Sequence, residues 1–244
     1  MTEFSCVSWN IHRGRGNDGV VDPDRTRKVL VSEVLGPGTD ALILQEADEE
    51  TPPHGGILDI SRIERETGLC CVHTEPTHRW GEASHGFLGV IVFLHPALEV
   101  EDVALLDLPG QCHRGAVVVD AAKGGRKLRL IATHLSLSQA LRVAQMRTIG
   151  QHVFRRGARP AILCGDLNEW RPWGGLALSP RVLGAHFRGP APATFPIRRP
   201  FLPLDRVLAT PPFRVTEARV LDGRGIRMAS DHRPLAARIA ITGG

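Results

Sequence analysis

Four apolar runs constrain this chain more than any other feature: Phe4 to Trp9, Ala41 to Leu44, Ile131 to Thr133 and Ala161 to Cys164. Each is short and mainly apolar, so by length and composition each predicts a buried strand. Each also ends on polar residues: Asn10, Gln45-Glu46, His134, and Gly165-Asp166-Leu167-Asn168. Polar residues clustered where sheet strands end are where α/β enzymes place chemistry. The polar types are carboxylates, carboxamides and imidazoles, which hold hard cations and move protons.

Between the runs, Ile11 to Gly19 is a Gly/Arg loop. Asp22-Pro23 reads as a cap and first turn of a helix running to about Leu35, stopped by Gly36-Pro37-Gly38. A second helix is predicted over Ile57–Thr67, ended by Gly68, and a longer one from Ser136 or Ser138 to about Arg155. In that long helix Leu141, Ala144, Gln145, Thr148, Ile149 and His152 fall near helical spacing. Further strands are predicted at 69–73, 87–94, 100–106, 115–121, 127–133, 205–208, 215–221 and 235–241, with Lys123-Gly124-Gly125-Arg126 joining two of them as a hairpin. Residues 49–56 and 189–203 are Pro/Gly-rich loops. There is no repeat, low-complexity tract or linker, so the 244 residues are expected to form one domain, 1–244.

No stretch has the apolar length of a membrane span, and no basic-then-apolar leader opens the sequence. With five cysteines, an odd count, this predicts a reduced, cytoplasmic protein with structural cysteines. Cys70-Cys71 has no second pair at zinc spacing. The net charge of +4 and pI near 9.1 suit a phosphate-bearing partner, though only weakly. Lysine supplies only Lys28, Lys123 and Lys127 of the 30 basic residues, and most of the arginines read as solvated surface.

Six motifs in order, Trp9-Asn10-Ile11, Leu44-Gln45-Glu46, Thr133-His134-Leu135, Gly165-Asp166-Leu167-Asn168, Pro203-Leu204-Asp205-Arg206-Val207-Leu208 and Ser230-Asp231-His232-Arg233-Pro234-Leu235, give a strong signal together. In this set the chain resembles the endonuclease/exonuclease/phosphatase superfamily of metal-dependent phosphoesterases, specifically its small bacterial members. The resemblance implies a DNase I-like fold, a two-sheet, four-layered α/β sandwich. It implies a divalent-metal-dependent phosphoesterase acting on a phosphodiester or phosphomonoester, and leaves the substrate open between nucleic acid and phospholipid or inositol-phosphate head groups. A non-catalytic phosphate- or nucleic-acid-binding module on the same fold is the alternative of a different class. No obligate protein partner is visible.

Glu46, a carboxylate at the end of four apolar residues, is the leading metal-ligand candidate; the competing reading is a partner for an arginine. Asn10 supplies a neutral oxygen beside it, or forms a turn. Asp231 would reach the same ion, directly or through water. One magnesium or manganese ion is expected, with water and phosphate completing its shell. Asp166 and Asn168, two apart, share one face of an extended segment and would handle the attacking water; alternatively they form a turn that satisfies its own backbone. His232 needs an acid to fix its tautomer, and Asp205 matches the family's acidic partner. His134 matches a position that contacts the scissile phosphate or leaving oxygen. Glu82 is the nearest acid by order to pair with His134.

Many nucleases of the family place a tyrosine on the phosphate, but this chain has none. Arg114 is the candidate stand-in on substrate phosphate, since guanidinium binds phosphate bidentately; a solvated strand-edge arginine is the plain alternative. Of the remaining histidines, only His12 lies close to a motif. Arg13, Arg15, Arg198 and Arg199 are expected at the rim, together with Trp170, Arg171, Trp173 and Phe195. Such arginines interleaved with aromatics can bind single-stranded nucleic acid or an anionic lipid surface, unless the aromatics pack inward.

Overall fold

The computed structural model describes residues 2–110 and 113–241. Cys112, expected to be structural, lies outside the described residues. Eleven strands form two sheets. The first has the order β10 (Arg214–Val220), β11 (Leu235–Ile241), β1 (Thr2–Asn10), β2 (Ala41–Gln45), β4 (Ile91–Leu94), β3 (Cys70–Cys71). The second has the order β5 (Leu98–Asp107), β6 (Gly115–Lys123), β7 (Arg126–His134), β8 (Ala161–Asp166), β9 (Asp205–Ala209). Each sheet contains one parallel pair, β1 with β2 and β7 with β8; the other neighbours are antiparallel. A parallel pair needs a helical crossover. Helix α1 (Pro23–Val29) supplies the first, and the long helix α3 (Gln139–Arg155) the second.

Alternation along the strands makes the layers. Phe4, Cys6, Ala41 and Ile43 of the first sheet face Val117, Val119, Leu130, Ile162 and Cys164 of the second in one shared core. The opposite faces of the same strands turn outward. Val7, Trp9, Leu42 and Leu44 pack with Val29 and Leu30 of the α1 region, Ile63 of α2 (Ile60–Thr67) and Ile226 of α5 (Arg224–Ala229). Val118, Ile131 and Leu163 pack with Met146 and Ile149 of α3 and Leu183 of α4 (Pro180–Leu183). Helix, sheet, sheet, helix is the four-layered sandwich expected, and it buries both faces of the central strands.

Several boundaries differ from those read in the sequence. The first helix is regular only to Val29, then widens into a π turn over Leu30–Val34. The second starts at Ile60 rather than Ile57, because the Asp59 carboxylate caps it by accepting the Arg62 amide at 2.9 Å. Ile57 instead donates its amide to the Ala47 carbonyl at 3.4 Å. The strand expected at 69–73 is reduced to Cys70–Cys71, and that at 87–94 to Ile91–Leu94, since residues 87–90 form a tight turn closed by Phe87 and Val90. Helices α4 and α5 were not foreseen; both are short. In α3 the buried residues are Arg142, Gln145, Met146, Ile149 and Gly150, a stripe rotated from the one expected through Leu141, Ala144 and His152. Ser138 occupies the cap without a side-chain bond, and Gln145 Oε1 accepts the Ser136 amide at 2.9 Å instead. Cys6, Cys71 and Cys164 are buried and unpaired, and Cys70 is exposed. Burial pushes the Cys6 thiol up to about 12 and Cys71 to about 11, which leaves both inert at neutral pH. Among the described residues no helix is long and apolar enough to cross a membrane.

His73 generates a prediction about the core. Its Nδ1 meets the His78 carbonyl at 2.6 Å, and its Nε2 accepts the Val92 amide at 3.3 Å. A neutral ring with hydrogen on Nδ1 satisfies both; a second proton would face the Val92 N–H. Burial accordingly drives its pKa down from 6.5 to about 4. The unfolded chain therefore binds a proton before the folded one does. Stability should be complete above pH 6.5 and fall as pH drops from 6.5 to 4, by ~3 kcal/mol at most from this group. Urea denaturation of wild type and His73→Gln at pH 7 and pH 4.5 checks this. The pH-dependent loss should shrink in the variant; an unchanged loss would refute it.

Candidate active site

The strand register brings the sequence motifs to one edge. Asn10 pairs with Gln45 across β1 and β2, His134 with Asp166 across β7 and β8, and Asp166 with Asp205 across β8 and β9. Both parallel pairs therefore finish at the same end of the sandwich. Asp166 is the point where the two sheets meet. Its Oδ2 accepts a hydrogen bond from Asn10 Nδ2 at 3.0 Å and lies 3.4 Å from His134 Nε2 and 3.8 Å from His232 Nε2. Its Oδ1 accepts the Asn168 amide at 3.0 Å. Gly165, at φ +137, makes this approach possible: a Cβ there would lie 1.8 Å from the Thr133 carbonyl oxygen.

Asp205 lies against His232, with Oδ2 2.8 Å from Nδ1. The same oxygen accepts the Thr194 hydroxyl at 2.5 Å. Trp9 Nε1 donates to the His232 carbonyl at 3.0 Å, and the Phe195 ring stands 4.8 Å from the imidazole, so the histidine is held on three sides. Phe195 thus packs inward, as one alternative for the rim aromatics allowed. Asn168 Nδ2 donates to the Leu135 carbonyl at 2.9 Å, tying the loop after β8 to the end of β7.

Glu46 sits beside Asn10, with Oε1 3.4 Å from Asn10 Nδ2. Its Oε2 accepts Arg13 Nη1 at 2.6 Å, so Arg13 belongs to this centre and is not a free rim arginine. Asp231 lies on the other side of Asn10: Ser230 Oγ donates to the Asn10 carbonyl at 2.7 Å and stands 3.4 Å from Asp231 Oδ1, which is 3.7 Å from His12 Nδ1. Asn10, Glu46 and Asp231 offer hard oxygen donors only, the chemistry that suits magnesium or manganese. Asp166, Asp205 and His232 also place ligand atoms within 4.8 Å of one another. There Asp205 Oδ2 is held by His232 and Thr194, while its buried Oδ1 has no hydrogen-bond partner. The Asn10–Glu46 side is engaged as well: Arg13 holds Glu46 Oε2, the arginine partner named as the competing reading of Glu46, and Asn10 Oδ1 accepts the His12 amide at 3.0 Å.

Backbone strain gathers here. Of the described non-glycine residues, six have positive φ: His12, Arg13, Glu46, His54, Leu88 and Asn168. Five are named above or line the cleft beside Glu46, and His54 closes that cleft. Such conformations cost of order 1–3 kcal/mol each and persist where surroundings over-determine them. Asp48, which sequence reading missed, is part of the restraint. Its Oδ2 accepts the Ser84 hydroxyl at 2.6 Å and the Gly89 amide at 3.3 Å, while the Gly89 carbonyl accepts the Ala47 amide at 2.9 Å. Together these hold the turn carrying Glu46.

A second missed group is the buried cluster behind Asn168. Glu169, fully buried, lies 2.9 Å from Arg171 Nη1 and 3.6 Å from Arg142 Nε. Arg206 donates to the carbonyls of Pro203, Glu169, Arg171 and Pro172 at 2.7–3.3 Å. This fixes the loop after Asn168 to the strand bearing Asp205. A buried Arg after the Asp of Leu204-Asp205-Arg206 is the only sequence hint of it. Arg114 lines the cleft with His134 and Glu46. Glu82 sits in an exposed turn and does not line that cleft; the acid beside His134 is Asp166.

The two histidines are driven apart. Burial, reinforced by Arg114, His232 and Arg13 against the pull of Asp166, lowers the His134 pKa to about 3. Burial would lower His232 as well, but Asp205 and Asp166 outweigh it and raise its pKa to about 10. At neutral pH one ring is neutral and the other cationic, the separation seen where acid and base roles are divided.

The chain belongs to the endonuclease/exonuclease/phosphatase family, whose sequence model matches residues 7–232. Members of that family are phosphoester hydrolases and nucleases. No match was found among curated proteins. Solved structures share the fold at low identity. An endonuclease/exonuclease/phosphatase from Beutenbergia cavernae is 22% identical over 100% of this chain and 72% of its own, with a TM-score of 0.68. TDP2 of D. rerio, complexed with a single-strand DNA product, is 15% identical over 99% and 100%, with a TM-score of 0.70. The catalytic domain of human nocturnin, with bound sulfate, is 19% identical over 98% and 95%, with a TM-score of 0.69.

The dyad can be tested without turnover. Asp205→Asn removes the charge nearest His232 and should lower the ring's pKa by ~1–3 units, read by NMR titration of the imidazole resonances. An unmoved pKa would show that Asp205 does not set the protonation of His232.

Proposed function

We propose that this protein is a divalent-metal-dependent phosphodiesterase that hydrolyses its substrate by in-line attack of water. The observation that carries the reading is the convergence on Asp166 Oδ2 of Asn10, His134 and His232. Asp166 holds the attacking water and accepts its proton. The His232 imidazolium, its Nδ1–H on Asp205, presents Nε2–H to a phosphoryl oxygen and offsets charge that develops there. His134 stays neutral and hydrogen-bonds the departing ester oxygen. Arg114 faces the phosphate, and Asn168 keeps Asp166 turned toward it. A magnesium or manganese ion held by Asn10 and Glu46, with Asp231 near, supplies Lewis-acid polarisation of the phosphoryl group when bound.

The reaction needs no covalent intermediate. The hydroxyls nearest the dyad are Thr194 and Ser230, both fully buried, with their hydrogens engaged by Asp205 and the Asn10 carbonyl. Two substrate classes fit the rim. Trp170, Trp173, Leu137 and Phe201 are exposed, and Arg171 lies 4.9 Å over the Trp170 ring. Exposed aromatics with arginine stack on single-stranded nucleic acid, a reading favoured by the DNA bound in the TDP2 structure. The same surface suits contact with phospholipid.

With magnesium or manganese the protein should hydrolyse bis(p-nitrophenyl) phosphate, and chelation should abolish this. His232→Ala should lower kcat by roughly 10²–10⁴-fold, and Glu46→Gln should reduce metal-dependent turnover with little change in Tm. Near-normal turnover in His232→Ala would remove that residue from the mechanism. A panel of DNA, RNA, phospholipid and inositol phosphate then separates the substrate classes. A nucleic-acid substrate should show binding that weakens with salt and a slope reduced by Arg198→Ala and Arg199→Ala.

A further inference from the structure

A cleft of about 280 Å³ opens from Glu46, His134 and Arg114 toward a wall formed by Trp80, His54 and His113. It is just under the ~300 Å³ at which pockets for drug-sized ligands begin, the size for one small group. The ring of His113 lies 4.3 Å from that of His54 at 61° and 5.8 Å from that of Trp80 at 58°. Trp80 is fixed in turn by an edge contact to Phe87 and by its amide on the Gly86 carbonyl. The rings therefore make a corner, not a parallel slot for a flat base.

The charge around this corner is lopsided. Asp48, Glu49 and Glu50 line it along with Glu46, against Arg13 and Arg114. Arg13 is committed to Glu46 and lies 4.0 Å from Glu50, which leaves Arg114 beside His134 at the inner end. Asp48 is more than nine-tenths buried, and its Oδ1 makes no well-formed hydrogen bond, relieved only in part by the His85 amide. A buried carboxylate left short of donors is costly. A further phosphate entering here would meet three carboxylates.

We infer that this cleft is a specificity subsite for a compact organic cation, an ammonium or quaternary ammonium group carried on one ester arm of the phosphodiester. Aromatic faces and carboxylates around a small cavity are how proteins hold such groups. The inner end, with Arg114 and His134, lies one phosphate away. The subsite rests on the hydrolase reading for its substrate, but its binding can be measured apart from turnover. The cation can arrive on a soluble diester or on a lipid head group.

Two chromogenic diesters isolate the charge: p-nitrophenyl phosphorylcholine and its neutral 3,3-dimethylbutyl isostere. We expect kcat/KM at least tenfold higher for the choline ester, with the ratio collapsing toward one in the Glu49→Gln/Glu50→Gln double variant and in Trp80→Leu. Tetramethylammonium should bind the wild-type protein in an NMR titration, shifting the Trp80 and His113 resonances, and should bind the variants at least fivefold more weakly. A ratio near one in wild type, an unchanged ratio in the variants, or preference for a dinucleotide over the choline ester would overturn the inference. If neither diester is hydrolysed with metal while tetramethylammonium still binds, the subsite stands and the hydrolase reading falls. Glycerophosphocholine against phosphatidylcholine vesicles then distinguishes a soluble from a lipid source, with either supporting the subsite.

Discussion

Everything at the functional edge depends on one buried carboxylate. Asp166 is 1% exposed, and a carboxylate there is tolerable only if its oxygens are met by donors. Asn10 Nδ2 and the Asn168 amide supply the hydrogen bonds, and the polar groups that gather on its Oδ2 come from three separate parts of the chain. Asn10 belongs to the first sheet, His134 to the second, and His232 to the segment that leads back into the first. To supply them, β1 and β7 must end at the same height as β8. That requires two crossovers of the same sense, each a helix long enough to return the chain across its sheet. The apolar core between the sheets sets their spacing, and the Asp166 contacts set their register at one edge. Gly165 is the local price of that arrangement, since any side chain would collide with the Thr133 carbonyl.

Around this hub the backbone is held in conformations it would not choose. Glu46 at φ +54 and Asn168 at φ +50 are both left-handed without being glycine. Each has a restraint visible in the hydrogen bonds. Glu46 is fixed by Arg13, by Asn10 and by the Asp48–Ser84–Gly89 brace behind its turn. Asn168 is fixed by Asp166 Oδ1 before it and by Leu135 beside it. The restraint re-aims side chains at strand ends toward a common point, which regular strand geometry would send to alternate faces.

The sequence carried the layers and the location of the site because both rest on local patterns. Buried strands announce themselves as mainly apolar runs, and polar residues that end such runs stand out against them. The hairpin at Lys123 to Arg126 was legible for the same reason: Gly124 and Gly125 supply two successive positive φ values. What escaped was set by partners distant in sequence. The start of α2 was misplaced because Ile57 and Leu58 are apolar yet pack as a loop against Ala47 and the outer core. The stripe on α3 was rotated because Arg142, charged and so expected outside, is buried against Glu169 and two carbonyls. Arg13 is expected only at the rim because nothing in a Gly/Arg loop reveals the carboxylate 33 residues later that claims it. Asp48 and Ser84 become meaningful only once the turn at Leu88-Gly89 is folded over Glu46.

The arrangement also explains how one edge can treat two histidines oppositely. His134 and His232 are both buried and both within 4 Å of the same Asp166 oxygen. Burial lowers both, so the difference must come from what else each ring meets. His232 has a second carboxylate, Asp205, which is itself fully buried and held by Thr194, so its charge is poorly screened and fixed in place. His134 has no second acid, and Arg13 and Arg114 approach from its open side. Both arginines belong to the cleft that leads away from Glu46, where Glu46 and Glu50 draw Arg13 and leave Arg114 facing inward. Burial is the main cause of the neutrality of His134, and the arginines at the inner end of the cleft reinforce it. A phosphate placed between Arg114 and His232 would meet a cation on each side and a neutral ring at its ester oxygen, while a positively charged arm could extend into the carboxylates beyond.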